Sequence, residues 1–107
     1  MAKLKVGLVG VAQAQAFIDI FNSDPAFEVT ALCDVNAALL DQVADKAGIS
    51  ARFTDYTRFA ESDLDVIELS TPIQVHGPQG ILALKNGKHV LCQYIAAANP
   101  QEGEELL

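Results

Sequence analysis

Positive charge is scarce in this chain. Its 107 residues hold 7 Lys and Arg against 14 Asp and Glu, for a net charge of −7. Phosphate backbones draw their protein partners through Lys and Arg, so a nucleic-acid partner is excluded, and an anionic membrane surface with it. Long hydrophobic runs are missing too: no apolar stretch approaches the roughly 20 residues of a membrane span. The N-terminal Met1-Ala2-Lys3-Leu4-Lys5 does not open a signal peptide, because Gly10 and the glutamines that follow break the apolar stretch too early. A soluble, cytoplasmic protein is expected. Cysteine and histidine number two each. Cys33 and Cys92 cannot complete a four-ligand zinc site, and His76 and His89 are not at ligand spacing, so no metal is expected. Both thiols are expected to be reduced. Glycine is absent where a phosphate-binding turn would repeat it: Val9-Gly10-Val11-Ala12-Gln13-Ala14-Gln15 offers one glycine and then alanine and glutamine.

What is present is an apolar half of the composition arranged in two alternating periods. Leu4–Val9, Phe27–Cys33, Ala51–Phe53, Leu64–Ser70 and His89–Cys92 read as strands. Between them, Gln13–Asn22 carries a helical stripe of Ala14, Phe17, Ile18 and Phe21, stopped by Asp24-Pro25. A second helix is capped by Asn36, striped with Leu39, Leu40, Val43, Ala44 and Ala47, and ended by Gly48. Asp55–Phe59 makes a turn or two of helix, and Pro78–Lys85 a last one ended by Asn86-Gly87. Strands as apolar as KVGLVG and DVIELS need cover on both faces, which predicts a parallel sheet between helical layers. Right-handed crossovers then give a doubly wound α/β sheet, Rossmann-like, of strand order 3-2-1-4-5. In that order Cys33 and Cys92 stand three strand spacings apart, about 14 Å, beyond disulfide reach. Asp63 and Asp65 read as solvated loop acids. Asn99-Pro100-Gln101-Glu102 reads as a helix start soon cut off at Leu107, the expectation being a single truncated domain over 1–107.

The segments KVGLVG, EVTALCDVN, TDYTRF and DVIELSTPIQVHGPQGILALKNGKHVLC resemble, over the whole chain, the N-terminal domain of the Gfo/Idh/MocA oxidoreductases (glucose–fructose oxidoreductase and inositol dehydrogenase). The pattern STPxxxHxPxxxxALxxGKHVLC is the most specific part. The resemblance implies a Rossmann domain that binds NAD(P), followed in the family by a substrate domain absent from this chain. By that likeness Gly10, Ala12, Gln13, Asp34, Thr71, Pro72 and His76 stand at cofactor-binding positions. Asp34, 24 residues after Gly10, would take the adenosine ribose hydroxyls and repel a 2′-phosphate, favouring NAD.

The departures are equally specific. Gly10, Ala12 and Gln15 fill the three fingerprint positions, and a methyl at Ala12 stands where the backbone must approach the pyrophosphate and where a φ above zero would be penalised. Tyr94 fills the place of the family's lysine, so no catalytic residue is assigned, and Ile73 follows Thr71-Pro72 where a polar residue is common. Ala12, Gln13, Ile73, Gln93, Tyr94 and Ile95 are expected to converge on one crevice at the carboxyl ends of the strands. That clustering points to a disabled cofactor site altered by evolution or by design, leaning to design, with NAD binding weak or lost. The crevice would then serve protein contact, giving a homodimer through the fifth-strand edge and Ile73, Cys92, Tyr94 and Ile95. The alternative is an isolated domain that still binds NAD. An intact enzyme completed by a partner chain ranks below both.

Overall fold

The protein, seen in a computed structural model, is described over residues 3–71 and 73–92. The order of elements is β1 (Leu4–Val9), α1 (Val11–Ser23), β2 (Phe27–Cys33), α2 (Ala37–Ala47), β3 (Ala51–Phe53), α3 (Tyr56–Glu61), β4 (Val66–Leu69), α4 (Ile73–Lys85) and β5 (His89–Cys92). All four strand pairings are parallel, and the sheet order is β3-β2-β1-β4-β5, as expected from the alternation of periods. Every strand therefore exits at the same edge of the sheet, and the loops that can carry a site gather there.

Alternation along each strand splits the core in two. Val6 and Leu8 of β1 pack with Val11, Ala14 and Ile18 of α1 and with Leu40, Val43 and Ala44 of α2. Val9, Ile67 and Leu69 pack on the other face with Phe59 and Ala60 of α3 and Ala83 of α4. The register of β1 on β2 shifts between Val6 and Gly7, where Thr30 is the extra residue on β2. The shift lets Val29 and Leu32, three residues apart, face the same helices. Gly7 is a further consequence of close packing. A Cβ there would lie 2.5 Å from Leu64 Cδ1 and 2.6 Å from Phe59 Cζ, and Phe59 is wholly buried, so its ring has nowhere to retreat.

Several expectations are corrected in detail. α1 starts at Val11 instead of Gln13, directly behind Gly10. α4 starts at Ile73 instead of Pro78, so Pro78 sits inside the helix, where it has no N–H for the carbonyl one turn back. Asp65 is not a solvated acid: its carboxylate accepts the backbone N–H of Lys5 at 2.8 Å, while the exposed Asp63 pairs with the Lys5 ammonium. The row Cys33–Val9–Leu69–Cys92 runs straight across four strands, which keeps the two cysteines three spacings apart. Cys33 is a free thiol, pushed up to about 12 by burial and then by the charge of Asp34, and is therefore protonated and inert. No helix among the described residues is long and apolar enough to cross a membrane.

Candidate functional site

The site is assembled by backbone at the exits of β1, β2 and β4. Val9 leads into Gly10, which adopts a left-handed conformation at φ 86° and ψ 63°. A Cβ on Gly10 would stand 2.6 Å from the carbonyl oxygen of Ser70, so β1 can press against the exit of β4 only because the residue is glycine. The Gly10 N–H donates to the Cys33 carbonyl at 3.0 Å, and its carbonyl accepts from Ala14 N–H at 2.9 Å, starting α1. One residue thus ties two strand exits and opens the helix.

Asp34, just past β2, closes the arrangement. Its Oδ2 accepts the N–H of Val11, the first residue of α1, at 2.9 Å, and its Oδ1 accepts the N–H of Asn36 at 2.8 Å. Its own N–H donates to the Phe53 carbonyl at the exit of β3 at 3.0 Å. Gly10 supplies no side-chain cap and the first turn of α1 holds no acid, so a carboxylate from another strand answers the positive end of this helix. Its spacing from Gly10 marked Asp34 as a ribose ligand; the contact with Val11 needs the β1–β2 pairing and was not visible in sequence. Ala12 and Gln13 are exposed on the first turn of α1. The expected backbone penalty at Ala12 is absent: among the described residues none other than glycine has positive φ, and at this turn the left-handed step is taken by Gly10. The methyl group remains as bulk at that position, without strain. Gln15 folds back to donate to the Ala12 carbonyl at 3.1 Å.

At the exit of β4, Thr71 donates its hydroxyl to Gln79 Oε1 of α4 at 2.5 Å. Ile73 is the first residue of α4 and His76 lies within its first turn, so the backbone brings their segment to the same edge as Gly10 and Asp34. Pro72, Gln93, Tyr94 and Ile95 lie outside the described residues, and convergence is seen only for the segments of Ala12, Gln13 and Ile73. Among the described residues no group of three or more His, Cys, Asp or Glu is placed to hold a metal ion. A shallow groove of about 320 Å³ is lined by Lys5, Thr30, Ala31, Ala51, Phe53, Ser62, Asp63 and Leu64, and so by none of Gly10, Asp34 and Thr71.

A buried acid lies immediately below this rim. Glu68 on β4 is only 5% exposed, and among the described residues no cation pairs with it. The Ser70 hydroxyl reaches its two oxygens at 2.6 and 2.9 Å. Burial pushes the Glu68 carboxyl up to about 7, against the opposing pull of the Ser70 hydrogen bond. Sequence reading absorbed it into an apolar strand.

Compared with known proteins, residues 4–107 match a family described as "Oxidoreductase family, NAD-binding Rossmann fold". A scyllo-inositol 2-dehydrogenase (NADP(+)) of Bacillus subtilis is 33% identical over 82 residues, covering 76% of this chain and 25% of its own length. A glycosyl hydrolase family 109 protein of Saccharopolyspora erythraea is 30% identical over 97% of the chain and 25% of its own length. The chain therefore spans about a quarter of the curated relatives it matches. The crystal structure of an NAD binding oxidoreductase from Klebsiella pneumoniae superposes with a TM-score of 0.77 at 28% identity, over 99% of this chain and 31% of that one.

Glu68 yields a stability prediction. The folded state holds its proton up to about pH 7 while an unfolded glutamate releases it near 4.5, so stability falls as pH rises through that window. The loss is on the order of 3 kcal/mol. Glu68→Gln is expected to raise the melting temperature at pH 8 and to flatten its decline between pH 5 and 8. An unaltered profile in the variant contradicts this.

Proposed function

The chain belongs to the Gfo/Idh/MocA oxidoreductase family, matching its NAD-binding domain over residues 4–107, and from that membership we propose that it binds NAD across the exits of β1, β2 and β4 as the cofactor half of an oxidoreductase. The pyrophosphate is assigned to the N-terminus of α1, the adenosine ribose to Asp34, and the nicotinamide half to the β4 side beyond the point where strand order reverses. The observation that supports this reading is Asp34 itself: an acid just past the end of β2, drawn to within 2.9 Å of the first amide of α1, the helix end to which the pyrophosphate is assigned. A carboxylate there opposes a 2′-phosphate, so NAD is preferred over NADP, unlike the cofactor named for the Bacillus subtilis relative. The Ala12 methyl keeps the pyrophosphate at a distance and weakens binding, and Tyr94 in the lysine position leaves catalysis to residues outside this chain. The same reading puts the protein in the cytoplasm, consistent with a buried protonated Cys33.

Calorimetric titration tests it. NAD is expected to bind saturably and more tightly than NADP; Asp34→Ala weakens NAD about tenfold, as loss of a hydrogen bond to a charged group does. Ala12→Gly strengthens it. No heat at millimolar NAD contradicts the reading.

A second reading, protein contact, is favoured by β5. Among the described residues it is one of the two edges of the sheet, the other being the three-residue β3, and Leu91 on it is 46% exposed. Unpaired strand edges recruit other chains. We assign a homodimer to that edge, with Ile73, Cys92, Tyr94 and Ile95 as contributors. Sedimentation is expected to show dimer at high micromolar concentration; a clean monomer there overturns it.

A further inference from the structure

We propose that Gln79 is a positioning residue that turns the Thr71 hydroxyl into a hydrogen-bond acceptor for the nicotinamide nucleoside of the dinucleotide. The inference rests on the NAD-binding reading and adds to it a residue for which the sequence offered no role. A threonine hydroxyl carries one proton and two lone pairs. Here the proton is committed: Oγ1 of Thr71 donates to Oε1 of Gln79 at 2.5 Å. What the hydroxyl can still do is accept. Thr71 directly follows the buried Ser70 at the exit of β4, on the opposite side of the strand-order reversal from Asp34. A ligand group reaching Thr71 must therefore donate, as a carboxamide NH₂ or a ribose hydroxyl does, and a carbonyl or phosphate oxygen is refused.

Gln79 holds its place by a separate anchor. Its backbone carbonyl accepts the Tyr56 hydroxyl of α3 at 2.7 Å. The Tyr56 ring packs at 5.8 Å from Phe59, the wholly buried side chain that occupies the space left by Gly7. The line Gly7–Phe59–Tyr56–Gln79–Thr71 thus carries rigidity from the centre of the sheet to the rim. Gln79 is half-buried on α4 and is held between the Tyr56 hydroxyl of α3 and the Thr71 hydroxyl at the β4 exit. The amide is what the Thr71 contact requires.

The test compares NAD with ADP, which lacks the nicotinamide nucleoside, on the whole chain by calorimetry. Gln79→Leu frees the Thr71 proton and is expected to weaken NAD about 5- to 10-fold, the value of one misdirected hydrogen bond, while ADP stays within about twofold. Gln79→Glu keeps an oxygen acceptor at the same place and is expected to restore NAD binding. Thr71→Val should reproduce the NAD-selective loss, and combining it with Gln79→Leu should add nothing. Equal weakening of NAD and ADP in Gln79→Leu would reveal general loosening and overturn the proposal, as would unchanged NAD binding or additive losses in the double variant. If the native chain binds NAD no better than ADP, the nicotinamide half is not held and the proposal falls while dinucleotide binding stands. If it binds neither, the NAD-binding reading fails first.

Discussion

The contact between Gly10 and the Ser70 carbonyl sets the geometry of everything at the sheet's exit edge. It needs a residue without a side chain, since a Cβ would stand 2.6 Å from that oxygen, and it needs the left-handed turn at φ 86°. Both demands fall on one position, so no other residue type satisfies them without moving a central strand. With Gly10 in place, β1 lies close to β4, its N–H reaches the Cys33 carbonyl, and α1 begins at once. Asp34 can then answer the first amide of α1 from a neighbouring strand. A phosphate-binding turn usually distributes these tasks over several glycines. Here one glycine and one carboxylate share them.

Below the rim the two faces of the sheet do different work. The buried residues of the face under α1 and α2 are aliphatic, with the Phe21–Phe27 pair packed at its margin. The face under α3 and α4 is built around Phe59, edge-on to Phe53 at 5.8 Å, and it reaches the β4 exit through Tyr56 and Gln79. Glu68 interrupts the aliphatic order from the middle of β4, with a serine hydroxyl as its partner. A buried carboxyl so near the exit edge costs stability at neutral pH, and rules of core composition are most often broken beside functional edges.

Much of this architecture was legible in sequence because strand and helix periods differ sharply. FEVTALC and HVLC each follow turn residues, Asp24-Pro25 and Asn86-Gly87, and Asn36 and Gly48 bracket α2, where the Asn36 side chain accepts the Leu39 N–H at 3.1 Å. α4 was misplaced by Pro78, a residue that ordinarily starts helices and here sits within one. Gly7 gave no signal, since its need comes from Phe59, more than fifty residues away. Glu68 was hidden by its apolar neighbours, and Thr30 by a register shift that alternation counts cannot detect. At the rim the motif pointed to Gly10 and Asp34 separately; only the pairing of β1 with β2 joins them. Gln79 had no sequence signal, because its partners Thr71 and Tyr56 come from two other elements.

The central claim is that Gly10, Val11, Asp34 and Thr71 form one ligand-holding edge. Backbone amide chemical shifts followed by NMR during titration with NAD test it most directly. The account predicts a saturable set of shifts concentrated on Gly10, Val11, Asp34 and Thr71, with Lys5 and Ser62 at the opposite end of the sheet unmoved. Shifts confined to the Lys5–Ser62 end, or none at saturating cofactor, would contradict it.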